Sequence, residues 1–472
     1  MLASARAALA GQMVLRVGSF ALGVFLARVL GPEPFGVYVV SSAVILFALA
    51  VNDLGTVPAL ISSRRPLDET GPTALAMVLA VSAGLAAVVV LVAGPLTEAV
   101  GLDGRSGPLR ALAVVLVIDA LATPANAMLR RDLRHGELAR AEVTGIVFQI
   151  ATALVLVAAD AGVWVLVISH IMGNLVTGAA VIRATGYLPR PAIDPRIRSE
   201  LWSFGSRQAA SQAAQEGITN LDYVVIGSRL GPVSTGLYQR GFSTASWAVS
   251  VAGEVVGRVG VAAFAPVVDD RRRLDDGFRR TVVVLATVLA PCAALLCGLA
   301  EPLVLLLYGE EWLAAVVVVR VLSMLGAMRV LLAVGADVLA AAHRTSSGLR
   351  VNLVWLLALV PALLVAIELD GLRGAALAQA GVAVGVAAPV MLWTLRSLGV
   401  SVAPVVAELA PIIAAALTVV PTAWVIAERM DTLPALVVGG VVGGVQYLIL
   451  VAALARSQVR LVIGAVTRRA SS

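Results

Sequence analysis

A chain of 472 residues that is 60% hydrophobic and 14% charged, with a mean hydropathy of +0.95, is no ordinary soluble domain; such domains carry about a quarter charged residues. Its 35 basic residues are all arginine and outnumber 29 acids, for a net charge of +6. Apolar runs such as "TALAMVLAVSAGLAAVVVLVAG" (73–94) and "TVVVLATVLAPCAALLCGLA" (281–300) meet the roughly 20 residues needed to cross a bilayer core and lack the polar face of a soluble helix. The composition therefore predicts an integral membrane protein.

Taken in chain order, the apolar segments fall near 5–29, 36–62, 72–99, 108–129, 139–158, 161–182, 200–227, 235–267, 281–307, 312–341, 346–367, 372–395, 404–427 and 432–454. That is about fourteen spans, with twelve also admissible, in an all-α polytopic fold. The first is too long for the apolar core of a signal peptide and has no evident cleavage site, so it reads as an uncleaved span. Cys292 and Cys297 share one apolar run and read as small core residues. Three scattered histidines argue against a metal site, and no cofactor is implied. With the N-terminus inside, the inner loops hold 23 arginines and the outer loops 6, an asymmetry that puts both termini in the cytoplasm of a cell that carries the protein in its plasma membrane. The basic charge is thus topological, and no nucleic-acid partner is expected.

Two stretches repeat. Leu30, Gly31, Pro32, Gly36 and Tyr38 of "LARVLGPEPFGVY" recur at Leu230, Gly231, Pro232, Gly236 and Tyr238 of "IGSRLGPVSTGLY", each at an offset of 200, and Gln12 matches Gln212. Gly-Pro between apolar runs stops one helix and starts the next. Six spans separate the copies, so the duplication is parallel. This reading divides the chain into a six-helix bundle at 1–182, a cytoplasmic linker at 183–199, a second bundle at 200–398, and two extra spans with a basic tail at 399–472. Small residues four apart in "VVGGVVGGVQY" (437–447) point to close helix packing. Trp202, Tyr223, Tyr238, Tyr308 and Trp312 lie near span ends, as interfacial belts do.

The stretches "ARVLGPEPFGVY", "DLGTVPALI" (53–61), "WSFGSRQAASQAAQEGITNLDYVVIGSRLGPVSTGLYQRGFS" (202–243) and "LAEPLVLLLYGEEWLAAVVVVRVLS" (299–323) resemble the Wzx-like oligosaccharide flippases of the polysaccharide transporter group, relatives of multidrug (MATE) transporters and lipid II flippases. The resemblance implies two six-helix bundles around a central cavity. It also implies alternating-access transfer of polyprenyl-pyrophosphate-linked sugars to the outer leaflet, for cell-surface polysaccharide biosynthesis.

Polar residues inside the apolar spans are the site candidates. Gln208, Gln212, Gln215, Glu216, Thr219 and Asn220 recur at intervals of three and four, stacking on one helical face that lipid does not solvate. The stripe reads as the wall of a wet cavity; the alternative is hydrogen bonding between packed helices, worth about 0.6 kcal/mol per group. Six arginines are embedded: Arg16, Arg207, Arg240, Arg258, Arg320 and Arg329. Each costs at least about 2.5–3.5 kcal/mol at mid-bilayer unless paired or hydrated. Guanidinium matches phosphate oxygens, so Arg16, Arg207, Arg258 and Arg329 are the candidates for the pyrophosphate. Arg16 lies about 20 Å from the Gly31 turn at 1.5 Å per residue, and its counterpart at offset 200 is Glu216. Structural pairing or snorkelling is the alternative, strongest for Arg240 and Arg320. Asp53, Asp119 and Glu216 are candidates for coupling to H+ or Na+. His170 and Asn174 share a face that reads as interior packing, with contact to sugar hydroxyls the other option.

Three functions compete. A sugar polymerase or ligase needs catalytic residues on sizeable loops, and no nucleophile–base constellation or Walker loop is present, so no enzyme is expected, although a polysaccharide polymerase is a possible partner. In drug-exporting relatives acids in the first helix serve coupling; here that span carries Arg16 and no acid, which disfavours an ion-coupled drug antiporter. The alternatives to the oligosaccharide flippase are an ion-coupled small-molecule or drug antiporter of the same fold, or a lipid II flippase.

Overall fold

The computed structural model describes residues 17–52, 56–63, 65–102, 104–187, 190–256, 270–342 and 345–454. All regular elements among them are helices. The first helix, α1 (Val17–Leu30), stops at Gly31, whose φ of 73° places it in the left-handed region that ends helices. Pro32 then opens α2 (Pro32–Asn52), where a missing N–H is no loss. The same device recurs 200 residues later. Gly231, with φ 77°, breaks the long helix α9 (Pro195–Val256), and Pro232 restarts it.

The two copies of this turn lie against each other. A methyl group on Gly36 would overlap the Pro232 carbonyl, and one on Gly236 would overlap the Pro32 carbonyl. The contact is reciprocal, as a local two-fold relation requires, and is made by backbone on backbone, which only glycine allows. Nearby, a methyl on Gly101 would strike the Gly227 carbonyl, so α9 crosses the Val100–Gly101 turn equally closely. An ion pair between Arg105 and Glu33, 2.6 Å apart, ties the same end of the fold to the α2 start.

Residues group into two compact units, Met1–Gly236 and Leu237–Ser472. In the first, α3 (Thr56–Ser62), α4 (Leu67–Ala99), α5 (Ser106–Leu112), α6 (Val114–Arg131), α7 (His135–Ala158) and α8 (Trp164–Thr185) follow α2. α6 packs on both α4 and α8, and α7 on α8. Gly145 and Gly173 let α7 and α8 approach closely: a methyl on Gly145 would collide with Thr177. The basic stretch expected as a linker, 183–199, is held to α4 through its described residues. Ala192 donates its N–H to the Pro72 carbonyl at 3.2 Å and Asp194 its N–H to Thr73 Oγ1 at 3.1 Å. Asp194 then caps the new helix by accepting the Arg196 N–H at 2.8 Å, and Ile197 and Leu201 join the core with Leu60, Ala74 and Ala127.

The second unit contains α10 (Arg271–Gly298), α11 (Ala300–Leu307), a 3-10 turn (Glu310–Ala315), α12 (Val316–Ala341), α13 (Thr345–Val382), a π-helical turn (Ala383–Ala387), α14 (Ala388–Arg396), α15 (Val402–Arg429) and α16 (Thr432–Leu454). α10 packs on α12 and α15, and α15 on α16. The small residues of 437–447 serve packing: Gly439 faces Leu299, and Gly443 faces Leu295 and Val419. Among the described residues ten helices are long and apolar enough to cross a membrane. The longest of these, Arg350–Arg396, is broken at Asp370 and Gly371 and carries two of the expected spans. Polar α9, broken at Gly231, is outside those ten.

One expectation is corrected. Of the five aromatics assigned to interfacial belts, Tyr223, Tyr238, Tyr308 and Trp312 are buried; only Trp202 is exposed. Tyr308 stacks at a tilt on Trp312, centroids 5.5 Å apart, and its hydroxyl lies 2.7 Å from that of Thr244. A phenol with a side-chain partner inside the protein has no need of the headgroup region.

Gly36→Ala should destabilise the purified protein by about 1–3 kcal/mol, the usual cost of overpacking, and lower its melting temperature in detergent. Gly84→Ala, where a methyl meets nothing within 4 Å, should leave the melting temperature unchanged or raise it slightly.

Candidate substrate-binding site

Arg16, Asp53 and Arg258 lie outside the described residues. Arg207, Gln208, Gln212 and Gln215 lie on the described backbone of α9, and their side chains are outside the described set. That backbone is helical from Pro195 to the Gly231 break, so 208, 212, 216 and 220 share one face. At its far end Glu216 and Asn220 are half-buried, and Asn220 Nδ2 donates to Glu216 Oε2 at 2.8 Å. Asp222, two residues on, is buried and accepts the Tyr223 N–H at 3.0 Å.

Asp119 lies on an exposed position of α6. Its carbonyl accepts the Thr123 hydroxyl at 3.0 Å, one residue before Pro124, where the helical ladder loses a donor. Elsewhere in the first unit, buried Ser82 and Asn52 hydrogen-bond to each other, and Asn52 Nδ2 reaches the Leu116 carbonyl at 3.3 Å. This satisfied network is the inter-helix bonding expected of membrane bundles. His170 packs edge-on to Tyr38 with centroids 6.0 Å apart, and Asn174 donates to the His170 carbonyl at 2.9 Å. Both behave as interior groups.

The embedded arginines of the second unit differ sharply. Arg320 has a carboxylate partner, Glu301 at 3.4 Å, and lies 5.8 Å from the Trp424 ring centre. Arg240 is buried and donates to Gln239 Oε1 at 2.6 Å. Arg329 has neither kind of support. Its guanidinium lies 5.0 Å from the Phe242 ring centre and 5.7 Å from that of Trp355. Among the described residues no carboxylate pairs with it, and its Nε is buried without an acceptor. Phe242 and Trp355 have no place among the sequence-derived candidates. The usable signal was an indole in mid-span, about 15 Å along α13 from Thr345 at 1.5 Å per residue.

Arg320 opens onto a cleft of about 520 Å³ lined also by Glu301, Asp370, Arg373 and Leu372. In the first unit a smaller cleft of about 410 Å³ is lined by Met77, Val81, Arg198, Ser199 and Trp202. Two phenols outside the spans are perturbed. Burial, reinforced by the Asp68 charge, pushes Tyr187 up from its ordinary value. Burial pushes Tyr308 up as well, against the opposing pull of Arg240 and the Thr244 hydrogen bond. Among the described residues no group of three histidine, cysteine or acidic side chains is arranged to hold a metal.

This architecture defines a class: an all-α polytopic membrane protein with the fold of the MurJ and MATE transporters. It aligns with a lipid II flippase MurJ in an inward closed conformation over 96% of this chain and 99% of that one, with a TM-score of 0.81 at 11% identity. A multidrug resistance MATE family transporter of the MOP superfamily, inward-facing, aligns over 84% and 98% with a TM-score of 0.67 at 14% identity. In sequence, residues 25–317 match the family described as polysaccharide biosynthesis protein, and the chain belongs to that family. It is 23% identical over 381 residues to the lipopolysaccharide biosynthesis protein WzxC of Escherichia coli (strain K12), covering 78% of this chain and 75% of that one. It is 26% identical over 238 residues to the teichuronic acid biosynthesis protein TuaB of Bacillus subtilis (strain 168), covering 50% and 49%. Against the succinoglycan biosynthesis transport protein ExoT of Rhizobium meliloti (strain 1021) identity is 25% over 299 residues, covering 63% and 60%.

If the α9 stripe faces water, a cysteine at Glu216, in a background with Cys292 and Cys297 replaced by alanine, should react with a membrane-impermeant maleimide. A cysteine at Val283, which is fully buried, should not react. Equal protection of both positions would mean that the stripe is dry.

Proposed function

We propose that this protein transfers a polyprenyl-pyrophosphate-linked oligosaccharide from the cytoplasmic to the outer leaflet of the plasma membrane by alternating access. One observation carries the reading: in a polysaccharide biosynthesis family member, Arg329 stands in a membrane span with no carboxylate partner among the described residues. A structural arginine in a span is generally paired, and Arg320, nearer the end of the same helix, has Glu301. An unneutralised one suits an anionic cargo. The names of the relatives support the same direction, since WzxC, TuaB and ExoT are named for lipopolysaccharide, teichuronic acid and succinoglycan biosynthesis or transport. The shared MATE-like fold leaves an ion-coupled antiporter as the second reading, and the unpaired cation speaks against the cationic drugs of that class.

On this reading Arg16, Arg207, Arg258 and Arg329 attend the pyrophosphate, and Gln208, Gln212, Gln215, Glu216 and Asn220 line the aqueous path. The offset-200 repeat divides the bundles at 1–182 and 200–398. The reciprocal packing of Gly36 on Pro232 and Gly236 on Pro32 supports a local two-fold relation between the duplicated turns, and the counterpart of Arg16 at offset 200 is Glu216. Asp119, Glu216 and Asp53 are the groups for H+ or Na+ coupling. Both termini are cytoplasmic by the arginine bias. The protein works as a carrier rather than an enzyme and hands its cargo to a polysaccharide polymerase.

Arg16→Ala and Arg329→Ala should each abolish surface-polysaccharide export in a flippase-deficient host while the protein still inserts. Full complementation by Arg16→Ala would remove that residue from the pyrophosphate site.

A further inference from the structure

We infer that Arg329 and Trp355 together form an oxyanion site in the second unit, with Phe242 as its platform. The inference rests on the transport reading above for the source of the anion, and on geometry alone for the site.

The aromatic rings stand 5.0 and 5.7 Å from the guanidinium centre. Cation–π contacts engage the face of the guanidinium, whereas its N–H groups point outward in its plane and still need acceptors. Arg329 Nε is buried and has none. Trp355 is 9% exposed, and its indole Nε1 is likewise buried without an acceptor. Buried donors without partners are rare in folded proteins. Here two occur in one cluster, around a cation that no described carboxylate neutralises.

The donor set dictates the ligand class. Indole and guanidinium donate hydrogen bonds and accept none. A cation is therefore repelled, and a sugar hydroxyl would leave its own proton without an acceptor. A group with negative charge and free lone pairs, a phosphate or carboxylate oxygen, satisfies both N–H groups and the charge together. The aromatic walls keep water away, which strengthens each bond to the anion. The site is also deep. Arg329 lies about 20 Å along α12 from Val316, and Trp355 about 15 Å along α13 from Thr345, at 1.5 Å per residue, so both stand well inside a core about 30 Å thick. A lipid-linked glycan offers two sources of such an oxyanion: the pyrophosphate of the carrier and the carboxylate of an acidic sugar.

The test uses full-length protein in nanodiscs and measures affinity for two probes, geranylgeranyl pyrophosphate and a glucuronate-containing disaccharide. Trp355→Phe keeps the ring and deletes only the N–H. A hydrogen bond to a charged group corresponds to a tenfold or greater change in affinity. About tenfold weaker binding of the pyrophosphate by W355F assigns the site to the carrier, and the same loss for the disaccharide assigns it to an acidic sugar. R329K, which keeps the charge and loses the planar donors, should show the same selective loss and serves if W355F does not fold; R320Q should bind like the parent. Unchanged affinity of W355F and R329K for both probes, or no binding of either by the parent, overturns the site. Export by the parent chain in a flippase-deficient host is scored separately. Export with unchanged W355F affinities sinks the site alone, and no export with weakened W355F affinities sinks the transport reading alone.

Discussion

Hydrocarbon offers no hydrogen bonds, so each polar group carried into the membrane must find its partner in the protein, in water or in a ligand. Most of this molecule obeys that constraint conservatively. Ser82 and Asn52 bond to each other, serine and threonine hydroxyls return to carbonyls three or four residues back, and Arg320 finds Glu301. Arg329 and Trp355 depart from it, each with a buried donor and no acceptor. What sets this pair apart from the other buried groups without a partner, the hydroxyls of Ser41, Ser42 and Tyr187 among them, is the cation at its centre.

Close helix approach is the second organising device. Without a hydrophobic drive between helices in lipid, packing depends on small residues that bring backbones together. Gly145 with Gly173, Gly298 with Ala423, and Gly439 and Gly443 against the α10 end all work this way. The Gly36–Pro232 and Gly236–Pro32 pair adds symmetry, because each copy of the duplicated turn supplies both the glycine and the carbonyl. A transporter that rearranges around a site gains from such contacts: they are rigid along the backbone and hold no side-chain interlock that must be undone.

Much of the fold was legible in the sequence, since span length and Gly-Pro punctuation are local signals. The Gly31 and Gly231 turns, the helix break at Gly371 and the small-residue packing of 437–447 all follow from them. The aromatic assignments went astray at Tyr223, Tyr238, Tyr308 and Trp312, because position along a span says nothing about whether a ring faces lipid or a neighbouring helix. The linker 183–199 read as loop because its hold on Pro72 and Thr73 is a pairing across about 120 residues. For the site, Arg329 was visible as a charge in an apolar run, whereas Phe242 and Trp355 were not, being ordinary apolar residues in their own helices.

The amino-acid order alone therefore determined the membrane class, the approximate number of spans and the duplicated turn, since bilayer thickness and chain stereochemistry act on contiguous residues. Tertiary structure alone decided which embedded arginines are neutralised. Arg320 and Arg329 occur on one helix nine residues apart, Arg320 near its start and Arg329 in its middle. What separates them is the neighbour brought from elsewhere in the chain: a carboxylate for Arg320, and two aromatic rings with an idle indole N–H for Arg329.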